Sequence, residues 1–316
     1  MGIEMIQNFL TVAQQVAILF VLIAVGFVCG KQKLLDDRIA KGLSDLVLLF
    51  ATPAIIIGSF IRPFETTMLR RLLISFGLSA VFHAVGILLA FLCIRGKNRD
   101  RVDVSRFAVI FSNAGYMAFP LQEAILGEDG VFFGSAYVVV FNVILWTLGF
   151  ALMAGKKEKI RPKKLLLNPG VISVVVGLTL FLSNSASFLP PIVTDSMQHL
   201  ANLNTPLPMI VIGFYLSKAK ISSAFADRRI IWPLALRLLV CPAICIGILA
   251  LFRIDSTIAV TYTVAISTPV AAATTMFAAK YDRDTTLSVN AVSVSTLLSI
   301  LTLPLFVAFA QSIFHA

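Results

Sequence analysis

Polar residues are scarce inside the apolar runs of this chain, and they gather in two short stretches. The first, SNAGYMAFP at 112–120, sets Ser112, Asn113, Gly115 and Pro120 within nine residues. The second, AISTPVAAATTMFAAKYDRD at 265–284, sets Ser267, Thr268, Pro269, Thr274 and Thr275 among alanines. Proline lacks an N–H and costs a helix interior about 3 kcal/mol; Gly115 adds backbone freedom. Helices interrupted there expose N–H donors and roughly half a positive charge at each new N-terminal end, a setting that suits an anion and a carboxylate above all. A proline kink that only shapes packing is the plainer alternative, since Pro and Gly are commoner in membrane helices than in soluble ones.

The surroundings make the interruption costly. The chain has 316 residues, 58% hydrophobic and 13% charged, with a mean hydropathy of +0.93. Soluble domains average about 25% charged residues, so the solvent for most of this chain is lipid. Ten apolar spans are expected at 7–30, 42–61, 71–94, 104–126, 131–154, 165–187, 195–217, 230–252, 256–279 and 285–312. The 104–126 span is about 34 Å long as a helix at 1.5 Å per residue, and Asn113 to Pro120 fall near its centre. Non-helical backbone at that depth survives only when buried in protein or facing a watery cavity. The start of the chain carries Glu4 where a signal peptide wants a basic residue, so it reads as a retained first span.

Charge sets the orientation. Of 26 Lys and Arg, 21 lie in the segments beginning at Lys31, Arg95, Gly155, Ser217 and Lys280, and four (Arg62, Arg70, Arg71, Arg253) on the opposite side. Basic residues collect at the cytoplasmic face, so both termini are expected outside, in a plasma-membrane protein. The net charge of +10 is thereby explained without nucleic acid, because the basic residues form no stripe with aromatics. Cys29, Cys93, Cys241 and Cys245 lie in apolar runs without metal-ligand spacing. Neither a metal nor a cofactor is expected.

Two landmarks recur. Thr205-Pro206 lies 153 residues after Thr52-Pro53, and Ser267 lies 155 residues after Ser112. A duplicated five-span unit follows, with the second copy upside down because five is odd: 1–154, a basic connector at 155–164, and 165–316. Inverted repeats are a recurring design of secondary transporters, with substrate at the midplane. Chance similarity among apolar segments is the alternative.

Ionisable groups inside spans are candidate functional groups. His83 could relay protons or touch substrate, or be a neutral hydrogen-bonded imidazole. Arg237 could pair with a carboxylate; snorkelling to the cytoplasm is cheaper and preferred. Glu123 is a proton site or faces outer water. Asp45 and Asp195 are read as helix caps. Asn142, Asn202 and Asn204 face a cavity or bond between helices. No mid-span Asp pair occurs, which disfavours cation exchange. Phosphate-cradling loops, His-Glu-x-x-His and Gly-x-Ser-x-Gly are absent, so no enzyme is expected; a membrane-embedded enzyme or a sensor on the same scaffold is the rival class.

The stretches FSNAGYMAFPL, GEDGVFFGSAYVVVFNVILWTLGFALM, NPGVISVVVGLTLFL, LNTPLPMIVIGFYLSKAK and the run from AISTPVAAATTM to LTLPLF resemble the auxin efflux carrier family in its bacterial branch, over nearly the whole chain. The resemblance implies an all-α polytopic fold of ten helices in two inverted five-helix repeats, similar to bile-acid symporters and sodium–proton antiporters. Spans 4 and 9 would cross as broken helices, spans 1, 2, 6 and 7 would form a scaffold, and spans 3–5 and 8–10 a transport core. It implies a small organic anion such as malate, malonate or an auxin-like acid, and carries over to Asn113, Pro120 and Pro269. Ser267-Thr268 stand where a second Asn would match Asn113, which argues against a symmetric two-amide site. Uniport, proton or sodium coupling, and a homodimer are all left open.

Overall fold

A computed structural model of the chain describes residues 2–155, 167–185, 188–219 and 221–314. Of the basic connector at 155–164, residues 156–164 lie outside the described residues. Among those residues the structure is helical, apart from one isolated bridge between Ser112 and Val270. In chain order the helices are α1 (Gly2–Lys31), α2 (Asp37–Leu46), α3 (Thr52–Ser59), α4 (Thr66–Cys93), α5 (Arg99–Ile110), α6 (Phe119–Leu126), α7 (Glu128–Ile144) and α8 (Phe150–Ala154). They continue with α9 (Pro169–Leu182), α10 (Pro191–Ala201), α11 (Pro206–Lys218), α12 (Ile221–Phe225), α13 (Ile231–Ala235), α14 (Cys241–Leu251), α15 (Ser256–Ser267), α16 (Ala273–Lys280) and α17 (Thr285–Phe314).

Local chemistry explains the boundaries. Asp36 and Asn98 accept from the backbone N–H groups of Ile39 (2.8 Å) and Arg101 (3.2 Å), capping α2 and α5. Pro169, Pro191 and Pro206 sit in first turns, where a missing N–H is harmless. Wide π-turns at Val47–Ala51, Ala114–Ala118 and Leu236–Val240 each run up to a proline two residues later. A proline ring clashes with the carbonyl four residues back, and widening the preceding turn accommodates it.

Six helical stretches among the described residues are long and apolar enough to cross a membrane, and α9 and α15 are shorter apolar helices. Their outward faces carry Val21, Leu73 and Leu301, each more than 60% exposed, a surface made for lipid. Asp45 and Asp195 do not cap. The helices begin earlier than their positions suggest, after Asp36 and Pro190, so Asp45 lies in the last turn of α2 and Asp195 within α10.

The most extensive helix pair is α1 against α11. Gly26 and Gly30 on α1 face Gly213 and Ser217 on α11. A Cβ on Gly213 would sit 1.9 Å from the Ile23 carbonyl oxygen, and one on Gly26 2.1 Å from that of Ile210. Small residues four apart let two backbones touch. Gly213→Ala is therefore expected to destabilise the protein by about 3 kcal/mol, as overpacking against unyielding backbone does, read as a lowered melting midpoint in detergent. Gly77→Ala, where an added Cβ meets open space, is the control.

Candidate functional site

α5 ends at Ile110, and Phe111 turns extended (φ −102°, ψ 110°). α15 ends at Ser267, and Thr268 is extended as well (φ −64°, ψ 150°), as the residue before a proline prefers. The two extended segments lie antiparallel. The Asn113 N–H donates to the Pro269 carbonyl at 2.8 Å, and the Ala271 N–H to the Phe111 carbonyl at 2.9 Å. The Val270 N–H donates to Ser295 Oγ at 3.1 Å. Three backbone donors freed by the breaks are thus satisfied inside the protein, as depth in a bilayer demands.

Four half-helix ends converge on this joint. The two C-terminal ends share one cation: Arg237 donates from Nη1 to the Val109 carbonyl at 3.2 Å and from Nη2 to the Ile266 carbonyl. Its side chain does not snorkel, since Arg237 is only 2% exposed. No carboxylate of the described residues lies within 4 Å of it, and its Nε lacks a partner. A buried charge without a counter-ion is costly; here the negative ends of two helix dipoles offset it.

The two N-terminal ends face a cavity of about 430 Å³. Tyr116, Ala272 and Thr275 line its inner end, Ser293 and Thr296 of α17 one wall, and Ser44 and Lys218 the far end. A Cβ on Gly115 would meet nothing within 4 Å, so the chain stays thin beside the break. The Asn113 side-chain amide is 5% exposed and has no hydrogen-bond partner among the described residues. A second cavity, about 140 Å³, is lined by Ser59, Glu123, Glu128, Thr194 and Gln198. It occupies the other end of the α2–α3 and α10–α11 stretches, and between the two cavities Thr52 Oγ1 donates to Asn204 Oδ1 at 2.8 Å.

Against this geometry the chain matches the family model described as membrane transport protein over residues 11–307. The chain belongs to the auxin efflux carrier family. It is similar to an uncharacterized transporter of Methanothermobacter thermautotrophicus, 23% identical over 305 residues that cover 94% of this chain and 98% of that protein. Like other auxin efflux carriers, it is a multi-pass membrane protein of the transporter class.

The candidate residues of this carrier separate into groups. Asn113, Gly115, Ser267, Thr268, Pro269 and Arg237 meet at the joint. Thr268 Oγ1 donates to the Ala265 carbonyl at 2.8 Å, whereas the Ser267 and Thr274 hydroxyls are buried without partners among the described residues. Pro120 lies one residue into α6, buried below the π-turn. Glu123 stands apart in the smaller cavity, and Asn204, fully buried, bonds to Thr52. His83 lies behind the joint, where Nδ1 donates to the Ser79 carbonyl at 2.8 Å and the ring packs 4.6 Å from Tyr137. Tyr137 bonds Ser112 Oγ at 3.1 Å, which links the imidazole to the joint. Tyr116, Ser293, Ser295, Thr296 and Lys218 are additional candidates of this carrier. The Ser/Thr run at 293–299 in an otherwise apolar helix is the sequence signal that points to three of them.

Proposed function

We propose that the protein is a secondary carrier that moves a small organic anion across the plasma membrane by alternating access at the joint between residues 111–113 and 269–271. The substrate is a carboxylate such as malate, malonate or an auxin-like acid, bound at the N-terminal ends of the interrupted helices by Asn113, the backbone around Gly115, and Thr274 and Thr275. Ten spans in two inverted five-helix repeats give this arrangement its pseudo-symmetry, with both termini outside. Spans 1, 2, 6 and 7 hold still while spans 3–5 and 8–10 move.

The observation that carries the reading is Arg237. One buried guanidinium offsets both C-terminal ends, so the partial positive charge left at the joint is that of the two N-terminal ends. Such a site favours a negative solute. The cavities at opposite ends of the α2–α3 and α10–α11 stretches suit access from one side at a time. The larger one runs toward Lys218, on the face that carries most of the Lys and Arg.

Purified protein in liposomes is expected to exchange labelled malonate, malate or indole-type carboxylate against the unlabelled acid, with the recovered label unchanged in mass. Recovery of a chemically altered product, or uptake no faster than in protein-free liposomes across that panel, would refute the proposal.

A further inference from the structure

A third cavity, about 310 Å³, lies away from the joint on the face rich in Lys and Arg. It sits between the α4–α5 turn, the start of α13 and Leu287 at the start of α17. Arg95, Lys97, Arg101 and Arg229 line it, and no acidic residue does. Two of these cations are already engaged. Arg229 holds Asp227 through Nε and Nη2, both at 2.7 Å, and Arg101 approaches Asp284 at 3.5 Å. Arg95 and Lys97 have no counter-ion within 4 Å among the described residues. The first turn of α5, capped by Asn98, adds the positive end of a helix to the same wall.

The other half of the pocket is apolar and open outward. Trp232 lines it at 54% exposed, and Ile231 beside it is 59% exposed. Both belong to a stretch, Arg228–Leu251, long and apolar enough to span a membrane, and α4 ends at the same level. Tryptophan at the end of a span marks the headgroup level of a bilayer. A basic concavity there, lined on one side by an exposed indole, offers contacts both to a phosphate and to acyl chains attached to it, which a free ion would leave unused.

We infer that this cavity binds the headgroup of an anionic phospholipid, with Arg95 and Lys97 on the phosphate and Trp232 and Ile231 along the acyl chains. Basic pockets between membrane helices are a recurrent way of holding such lipids. The site is independent of the substrate joint, so its test does not depend on what the carrier transports.

The full chain in neutral detergent is titrated with short-chain phosphatidylglycerol, short-chain phosphatidylcholine or inorganic phosphate while its melting is followed. Phosphatidylglycerol is expected to raise the midpoint by several degrees, as a ligand of the folded state at about 100 times its dissociation constant does; phosphatidylcholine and phosphate are expected to leave it in place. Arg95→Gln/Lys97→Gln should remove at least three quarters of that shift, whereas Lys33→Gln/Lys41→Gln, with the same charge change in the α1–α2 turn and α2, should keep it. If the first double variant does not fold, Lys97→Gln alone is expected to lose half of the shift. An equal shift with inorganic phosphate overturns the lipid assignment. A phosphatidylglycerol shift unchanged in the Arg95 and Lys97 variants overturns the site.

Discussion

Arg237→Met is expected to slow anion exchange in liposomes by about 100-fold, equivalent to about 2.7 kcal/mol at 1.36 kcal/mol per decade. Methionine keeps the apolar stem but leaves the Val109 and Ile266 carbonyls facing each other's dipoles without a donor. Two hydrogen bonds from a charged group, about 1.5–3 kcal/mol each, disappear. Stability should fall by less than that sum, because removing a buried cation also relieves several kcal/mol of desolvation. The two readouts should therefore separate, with a large loss of exchange and a modest drop in melting midpoint. Arg237→Lys retains the charge but can reach only one of the two carbonyls, and an intermediate rate is expected. Parent-like exchange in Arg237→Met would remove the cation from the mechanism.

Asn113→Ala should have the second large effect, with exchange reduced by about 100-fold while folding is nearly untouched. The joint is made by the Asn113 backbone N–H, which alanine keeps. The amide side chain has no partner among the described residues, so its loss orphans no buried group and should change stability by about 0.5 kcal/mol or less. Asn113→Asp is expected to be as inactive and less stable, since a carboxylate would stand where the anion belongs. Exchange at the parent rate in Asn113→Ala, for every acid the parent carries, would place the binding site elsewhere.

The sequence made the joint legible because its residues break a local rule. Proline, glycine and asparagine in mid-span make sense only where backbone is buried or faces a cavity, and Ser112 does meet Val270. Asn204, expected to face a cavity or to bond between helices, accepts from Thr52, so the two repeated Thr-Pro landmarks lie beside a direct contact. Arg237 was not legible in the same way. Its partners are carbonyls 128 and 29 residues away, and main-chain acceptors leave no trace in residue identity. Seen alone, a single Arg two turns from a span end suggests snorkelling. Asp45 and Asp195 fall inside helices for a simpler reason: an apolar run shows where lipid begins, whereas α2 and α10 start earlier, in polar or proline-bearing turns. The contact of Gly26 and Gly30 with Gly213 and Ser217 is not legible in the sequence, because two small residues four apart are common in apolar helices and only the opposing pair gives them meaning.

That glycine seat constrains how the carrier can move. Helices slide past one another by exchanging side-chain rotamers across a shared layer, and at Gly26 and Gly213 no such layer exists. In the proposed cycle α1 and α11 then act as a fulcrum. Whatever rocks during passage of the solute rocks against this welded pair, and the stroke is absorbed at the looser contacts around the interrupted helices.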